Sequence, residues 1–325
     1  MATIIDVAKL ADVSKSTVSR VVSGKGYVSE ESRTKVLEAV KELGYTPNLV
    51  ARQLQSGQTR TILFVAHSFF DALTIILSNM IEIAKKHDYY ITIFFTDGNP
   101  EKELQALNQL KFKQVDGLFI ATKTNDWELI EEYSAYGPIA TWHRIDSTKI
   151  YSSYIDHYIG YRRSLDYLYG LGYRNIGHLL GNPKNLNTQA RLRAINDFRF
   201  ERGIEKEPVI YYSPRNEMSM KKVAKEWLSS TDRLDAFAFY MDIGAAEFLS
   251  ELQHLSDERP AIIGFDNSDI SRLMHITTVD YSLGKQAENS FIYLYNQLNK
   301  DKQLKENKIE VKLVERKTTP KKIRT

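Results

Sequence analysis

The sequence predicts an α/β protein in which a small all-helical segment precedes a larger body built on parallel sheets. Over residues 1–46, apolar side chains recur three or four residues apart behind hydroxyl-bearing residues that suit helix starts. Beyond residue 60, short apolar runs alternate with helical patterns, which is typical of parallel strands covered by helices. A chain of 325 residues is long enough to form more than one such domain.

Composition and charge exclude several classes of protein. The chain has no cysteine, which excludes a disulfide scaffold, a thiol nucleophile and a cysteine-based zinc site. Asp6 and the lack of a sustained apolar run predict no secretory signal, no membrane span and a cytoplasmic location. The first 60 residues contain nine basic and six acidic side chains, whereas the rest contains 35 of each. A basic leading segment on a neutral body favours a module that binds nucleic acid.

Three short helices are predicted in the leading segment, each with its own start signal. Thr3 and Asp6 form a capping-box pattern before the first helix. Ser14 can cap the second helix, and Ser29 can cap a third that Gly44 ends. Three helices of this size can share one small core.

The second predicted helix is a candidate for contact with DNA. The join A-D-V-S before it leaves room only for a tight turn, which is the spacing of a helix-turn-helix unit. In that unit Arg20 can make a bidentate contact to guanine, while Lys15 and Ser16 reach neighbouring base edges and Thr17 contacts phosphate. The alternative is that this polar face is simply solvated surface.

The run A-T-I-I-D-V-A-K-L-A-D-V-S-K-S-T-V-S-R-V-V-S-G-K-G-Y-V-S closely resembles the amino-terminal signature of the lactose-repressor/galactose-repressor (LacI/GalR) family of transcriptional regulators. The match continues through E-L-G-Y-T-P-N-L-V-A-R-Q-L and, more weakly, L-V-E-R-K-T-T-P. This resemblance implies a helix-turn-helix DNA-binding domain over 1–46, a hinge helix and linker over 47–59, and an effector-binding and dimerisation domain over 60–325.

The hinge segment is too short to be a stable helix by itself. Residues 48–55 span little more than two turns, and peptides below about 12 residues are seldom helical in water. The resemblance implies that two such helices order in the minor groove, where Leu54 acts as a wedge and Ala51 allows close approach. It also assigns backbone contacts to Asn48 and Arg52. A plain interdomain linker is the alternative.

The complete set of predicted DNA-binding residues comes from both segments and consists of Thr3, Lys15, Ser16, Thr17, Arg20, Asn48, Ala51, Arg52 and Leu54.

The resemblance divides the body into two subdomains like those of periplasmic sugar-binding proteins. One comprises about 60–159 plus 282–310, and the other comprises 160–281 plus the C-terminal strand. The chain is expected to cross between them near 158–162, near 281 and again near its end.

Polar residues that directly follow the apolar runs are the first ligand-binding candidates, because open α/β sheets bind ligands beyond the carboxyl ends of their strands. Those residues are His67, Ser68, Asp97, His143, Arg144, Asn182, Asp242 and Asp266. Any one of them alone is more often a helix cap or a loop residue.

The resemblance sharpens this set. It assigns ligand contact to Arg191 and Asp266, and it matches Asp242 to the aspartate of the family's Asn-Asp pair. The predicted effector-binding set is His67, Asp71, Thr74, His143, Arg191, Asp242 and Asp266. Departures from the family pattern, such as Met241 in place of that asparagine, cluster at the pocket and leave the identity of the ligand open.

The prediction that follows is a homodimeric transcription regulator, not an enzyme, that needs no cofactor and no metal. No nucleophile elbow, phosphate-binding loop or metal-ligand spacing is present in the sequence. A transport receptor and a DNA-packaging protein are the rival classes, and both fit the sequence less well. The regulator is expected to repress a carbohydrate-utilisation operon and to leave a pseudo-palindromic operator when it binds a small sugar. A corepressed or activating regulator that answers to a non-sugar metabolite is the alternative. The tail after Arg316 lacks the leucine heptads of a tetramerising coil, which favours a dimer.

Overall fold

The computed structural model describes residues 2–24, 26–46, 57–69, 71–212 and 219–322, and the side chains of Ser23 and Asp71 fall outside that description. The chain forms two compact units, Met1–Thr59 and Arg60–Thr325, which we call the N-terminal unit and the body. Most of the predicted hinge, residues 47–56, lies outside the described residues.

The N-terminal unit contains the three predicted helices, which are α1 (Ile4–Leu10), α2 (Lys15–Ser23) and α3 (Glu30–Glu42). Each begins behind a hydroxyl side chain that accepts a hydrogen bond from the backbone N–H three residues further on, as the caps predicted. Gly24, at φ +67°, ends α2 in the left-handed conformation that glycine adopts without strain.

One small core holds these helices together. Its buried members are apolar side chains from all three, namely Val7, Ala8, Ala11, Val18, Val21, Val36 and Ala39. The small core that the sequence predicts for these three helices is therefore confirmed.

The first half of the body is a five-stranded parallel sheet in the order β2-β1-β3-β4-β5. Its strands are β1 (Thr61–Ala66), β2 (Tyr90–Phe95), β3 (Gly117–Ile120), β4 (Ile139–Thr141) and β5 (Tyr151–Ser152). Three helices follow strands of this sheet, namely α4 (Asp71–Lys86), α5 (Pro100–Lys111) and α6 (Trp127–Glu132). Apolar cores lie on both faces of the sheet, which explains why most of its strands are continuous apolar runs.

The second half is a six-stranded sheet in the order β11-β10-β9-β8-β6-β7, parallel except for its last strand in sequence. Its strands are β6 (Ile176–Leu180), β7 (Val209–Tyr212), β8 (Ala236–Phe239), β9 (Ala261–Phe265), β10 (Thr277–Asp280) and β11 (Lys312–Val314). The remaining helices are α7 (His157–Gly170), α8 (Leu186–Arg202), α9 (Met220–Ser229), α10 (Asp242–Leu255), α11 (Asp269–Leu273) and α12 (Leu283–Leu298).

The chain passes between the halves three times. The first passage lies between Ser152 and His157, slightly before the expected 158–162, because α7 already packs in the second half, where Tyr161 and Leu165 join the core. The second passage follows β10, and α12 then packs against α4 of the first half. The third precedes β11, which completes the second sheet.

Candidate functional site

The exposed face of α2 is the candidate DNA-binding surface of the N-terminal unit. Val18 and Val21 turn into the core, and Lys15, Ser16 and Arg20 are exposed on the other side. This arrangement presents two cationic side chains and a hydroxyl on one short helix, which suits contact with a polyanion that carries base edges.

Hydroxyl groups converge at the first turn of α2. Ser14 Oγ lies 2.7 Å from Ser16 Oγ and 2.8 Å from Thr17 Oγ1, and it accepts a hydrogen bond from the Thr17 backbone N–H at 3.1 Å. Thr17 is half-buried, and its contact with Ser14 holds its hydroxyl at the N-terminus of α2, the positive end of the helix dipole. A phosphate is the group that this end of a helix binds best.

Two of the other predicted DNA-binding positions have structural features of their own. The stem of Arg20 runs beside Gly26, where a Cβ atom would lie 3.4 Å from Arg20 Cδ. Thr3 completes the capping box of α1, since Asp6 Oδ2 accepts from Thr3 N at 2.9 Å and from Thr3 Oγ1 at 2.8 Å. These hydrogen bonds lower the pKa of the Asp6 carboxyl. The predicted hinge contacts Asn48, Ala51, Arg52 and Leu54 lie outside the described residues.

A cleft of about 700 Å³ opens between the two halves of the body. Its walls come from loops that follow β1, β3 and β4 in the first half and β6, β8 and β9 in the second, together with the chain passages at His157 and Tyr281. The cleft therefore lies beyond the carboxyl ends of the parallel strands, where the strand-end rule expects a ligand.

The structure brings four of the predicted effector residues, His67, His143, Arg191 and Asp266, to the walls of this cleft. Thr74 is exposed on α4 and does not line it. Asp71 begins the same helix, but its side chain lies outside the described part of the structure. Of the further strand-end candidates, Arg144 and Asn182 line the cleft, whereas Ser68 and Asp97 do not.

Asp242 does not line the cleft, which corrects its assignment to ligand contact. Its side chain is fully buried, and Oδ2 accepts hydrogen bonds from the backbone N–H and Oγ of Ser268 at 2.8 and 2.9 Å. Oδ1 accepts from Thr278 Oγ1 at 2.6 Å. Burial raises the pKa of this carboxyl, and the hydrogen bonds oppose the rise. Asp242 thus joins α10 to the loop after β9 and to β10 rather than meeting a ligand.

Arg191 is the most constrained cation of the cleft. It is 4% exposed, and its guanidinium lies over the Phe265 ring with 4.8 Å between Cζ and the centroid. Nη2 donates to the Tyr240 carbonyl at 3.3 Å, whereas the buried Nε–H has no partner among the described residues. Burial lowers the pKa of Arg191, and the negative charge of Asp266 is among the influences that oppose this. An arginine stays protonated in such a site, so the cleft holds a buried positive charge and an unused donor.

Two histidines of the cleft are neutral. Burial lowers the pKa of His143 to about 4, and its Nε2 lies 2.8 Å from the Ala121 carbonyl. Because a carbonyl only accepts, Nε2 carries the proton and Nδ1 presents a lone pair. Burial also holds the pKa of His157 well below its ordinary value, and its buried Nδ1 has no partner among the described residues. Both rings can therefore exchange hydrogen bonds with ligand hydroxyls.

The aromatic side chains that line the cleft were not predicted from the sequence; they are Trp127, Trp142, Tyr240 and Tyr281. Three of them directly follow a strand, since β4 ends at Thr141, β8 at Phe239 and β10 at Asp280. The strand-end rule would have found Trp142 and Tyr240 if it had been applied to aromatic as well as polar residues, whereas Tyr281 follows β10, which the sequence does not identify as a strand. Such rings can stack on the apolar face of a sugar.

Across the described ranges, no group of three or more histidine, aspartate or glutamate side chains is placed to hold a metal ion. In the same ranges, no helix combines the length and the apolar character that crossing a bilayer requires.

Comparison with known proteins gives matches over both units. Residues 3–48 match the bacterial regulatory proteins of the lacI family. Residues 63–224 match the periplasmic binding proteins and sugar binding domain of the LacI family, and residues 165–319 match a periplasmic binding protein-like domain.

Individual relatives match along most of the chain. The NTD biosynthesis operon regulator NtdR of Bacillus subtilis (strain 168) is 32% identical over 308 residues, covering 88% of this chain and 91% of its own. The sucrose operon repressor of Pediococcus pentosaceus is 30% identical and covers 86% of each chain. Among solved structures, the Lac repressor dimer bound to operator and the anti-inducer ONPF is similar with a TM-score of 0.80 and 26% identity, over 98% of this chain and 99% of that one. With family matches over both units and relatives that are at least 30% identical over most of the chain, this protein belongs to the lacI family of bacterial regulatory proteins.

Proposed function

We propose that this protein is a sequence-specific repressor that binds a pseudo-palindromic operator as a homodimer and releases it when a small effector occupies the cleft. The observation that carries the proposal is the combination, in one chain, of a capped helix-turn-helix with a cationic outer face and a cleft lined by unpartnered buried polar atoms. Such a regulator acts in the cytoplasm and performs no catalysis.

In the N-terminal unit, α2 enters the major groove with its exposed face toward the bases. Arg20 contacts a guanine, Lys15 and Ser16 reach neighbouring base edges, and Thr17 contacts a phosphate near the helix N-terminus. In the hinge, Leu54 wedges into the minor groove, Ala51 permits close approach, and Asn48 and Arg52 contact the backbone. The bent duplex then presents more of its backbone to the protein.

The homodimer is supported by an apolar surface of the body. The edge strand β2 leaves Ile93 and Phe95 exposed on one of its faces, and Phe69 makes an edge-to-face contact with Phe95 at 6.3 Å. Proteins normally cover an exposed apolar edge, and a second copy of this chain is the proposed occupant. Ile93→Glu is expected to lower the apparent mass in sedimentation to that of one chain, while Thr92→Glu on the same strand leaves it unchanged.

The effector acts by favouring one arrangement of the two halves. A ligand that contacts both walls stabilises one cleft geometry, and it changes operator affinity only by the difference in its affinity for the two states. A sugar suits the aromatic walls and hydroxyl-binding groups, and the sucrose operon repressor is a relative. A corepressor or a non-sugar metabolite is the second candidate, because NtdR is named as the regulator of a biosynthesis operon.

Selection of operator sequences from a random duplex library with the full-length protein tests the proposal. We expect the selected sequences to share a two-fold symmetric motif and the Leu54→Ala variant to lose far more specific than non-specific affinity. Selection of no shared motif would reject the proposed function. Adding candidate effectors to the selected complex and following release by fluorescence anisotropy then measures the sign of the response.

A further inference from the structure

The described residues that line the cleft carry an excess of positive charge, which favours an anionic ligand over a neutral one. Among the described residues that line the cleft, the cations are Lys123, Arg144, Lys184 and Arg191, and Asp266 is the one carboxylate. The charge of Arg144 is paired with Asp156, a carboxylate that does not line the cleft, since Arg144 Nη1 lies 3.1 Å from Asp156 Oδ2. Among the described residues, three cations at the cleft are therefore balanced by one carboxylate.

Lys123 and Lys184 form no ion pair within the described ranges. Lys123 Nζ donates to the Asn125 carbonyl at 3.0 Å and lies 5.6 Å from the centre of the Trp127 ring, which directs it along the cleft wall of the first half. Lys184 is exposed in the turn before α8 in the second half. The excess charge is thus contributed by both halves.

The N-terminus of α8 adds unsatisfied donors to the same place. This 17-residue helix starts at the cleft, and its N-cap residue Asn185 makes no side-chain capping bond. The backbone N–H groups of Leu186, Asn187 and Thr188, which also line the cleft, donate to none of the described residues. Free N–H groups at the positive end of a long helix bind anions.

Arg191 supplies the independent observation that a ligand belongs there. Its buried Nε–H, on the same helix and in the wall of the same cleft, has no partner in the described structure. A buried charged donor without a partner is costly unless a ligand satisfies it. Asp266 and His157, by contrast, suit hydroxyl groups.

We infer that the effector is an anionic polyol, that is, a hydroxylated carbon skeleton bearing a phosphate monoester or a carboxylate. Its charged group lies at the N-terminus of α8 between Lys184 and Arg191, and Lys123 approaches it from the other half. This inference rests on the proposed function and narrows its effector to one chemical class. Because the anion contacts both halves, it stabilises a particular cleft geometry.

The test is a titration of the full-length protein followed by tryptophan fluorescence, because Trp127 and Trp142 line the cleft and Trp227 is buried elsewhere. The probes are glucose 6-phosphate, ribose 5-phosphate and glucuronate, with glucose, ribose and inorganic phosphate as controls. We expect at least one anionic sugar to bind at least tenfold more tightly than its neutral parent and than inorganic phosphate. The phosphate and carboxylate probes distinguish the two anions.

A matched pair of variants tests the placement of the anion. Leu186→Pro removes one free N–H, and proline suits this position because it begins the helix and Asn185 before it has φ −77° and ψ 135°. Leu186→Ala loses the same 53% exposed side chain but keeps the N–H. We expect the proline variant to bind the anionic sugar roughly tenfold more weakly than the alanine variant, with no such difference for the neutral parent. Lys123→Gln is expected to weaken binding of the anionic sugar by a similar factor. It provides a second variant if the proline variant does not fold.

Three results would overturn the inference: equal binding of a neutral parent, equal binding of inorganic phosphate, or no response to any of the anions. Equal affinity of the proline and alanine variants, together with unchanged affinity of Lys123→Gln, would also overturn it. None of these outcomes affects the selection of a symmetric operator without effector, so the failure of the inference is distinguishable from the failure of the proposed function.

Discussion

The two units of this protein place their candidate functional residues in opposite ways. In the N-terminal unit, the candidate surface is the solvent face of one helix, α2, whose other face supplies Val18 and Val21 to the core. In the body, the cleft is assembled from loops after six strands, and Arg191 and Asp266 within it are buried. One surface depends on a helix of nine residues, and the other depends on the relative position of two sheets.

This difference predicts where each unit is vulnerable. Exposed side chains on α2 can be replaced with little effect on the core, because they do not contribute to it. Buried polar groups around the cleft cannot be replaced so easily, because each takes part in hydrogen bonds or charge interactions that are strong in a low-dielectric interior. Changes to the body should therefore affect its stability more than changes to the face of α2 affect the N-terminal unit.

The largest effect is expected from Gly264→Ala. A Cβ atom at Gly264 in β9 would lie 2.2 Å from Asp242 Oδ1, the atom that accepts from Thr278. The clash displaces a buried carboxylate, so we expect the free energy of unfolding of the body to fall by about 4 kcal/mol. Urea unfolding monitored by tryptophan fluorescence measures this loss of stability. Gly244→Ala is the control, since its Cβ meets its nearest neighbour at an ordinary 3.5 Å, and an equal loss in both variants would contradict the explanation.

Acidification should separate the two units by their histidines. Burial lowers the pKa of His178 to about 3 and holds that of His157 well below normal, whereas the first 60 residues contain no histidine. Below about pH 6.5 the unfolded chain therefore binds more protons than the folded body, and the stability of the body falls as the pH falls. His178 alone accounts for about 2 kcal/mol between pH 7 and 5.

Hydrogen exchange measured by mass spectrometry at the two pH values reports both units in one experiment. We expect protection in α7 and β6 to fall at pH 5, after correction for intrinsic exchange rates, while protection in α3 changes little. Equal losses in both units would mean that the buried histidines do not control the response.

Arg20→Ala tests the face of α2 directly. Loss of a bidentate contact to guanine is expected to cost about 1–3 kcal/mol of affinity for the selected operator and to relax the preference at one base of each half-site. Quantitative binding to operator variants measures both effects. Arg33→Ala is the control, because Arg33 lies on α3 with its Nε 3.6 Å from Glu30. An unchanged base preference in Arg20→Ala would remove Arg20 from the recognition set.

The smallest effect is expected from Thr3→Ala. Removing the capping hydroxyl should cost the N-terminal unit about 1 kcal/mol, seen as faster hydrogen exchange in α1. Thr34→Ala is the matched control, because the Thr34 hydroxyl donates to the Glu30 carbonyl within α3 and stabilises no helix end. If Thr3→Ala instead weakens operator binding without changing exchange, its role is contact with DNA rather than capping.

The N-terminal unit was predictable almost element by element. Its three helices begin at the predicted caps Thr3, Ser14 and Ser29, because a cap and its partner lie only three residues apart. Seven apolar runs of the body are strands, as predicted. The strands β5, β7 and β10 were not identified; β5 and β10 contain Ser152, Thr277, Thr278 and Asp280 and therefore form no continuous apolar run.

The cleft was predictable only in part. The strand-end rule and the family resemblance together selected His67, His143, Arg191 and Asp266, which the fold brings to its walls. They also selected Asp242, because a position after a strand does not reveal whether its side chain points into the cleft or beneath it. His157 and Trp127 were missed, since neither directly follows one of the predicted strands.

The sequence by itself determined the three capped helices, most of the parallel strands and the family, because these depend on residues that are neighbours along the chain or on a motif that is read in order. The tertiary structure alone decided which polar groups are unpartnered in the cleft and which are structural. The arrangement of the two sheets around the cleft brings Lys123 and Arg191 to opposite walls, although 67 intervening residues separate them along the chain. Burial and charge balance are properties of that assembly, since they depend on every group that surrounds a site.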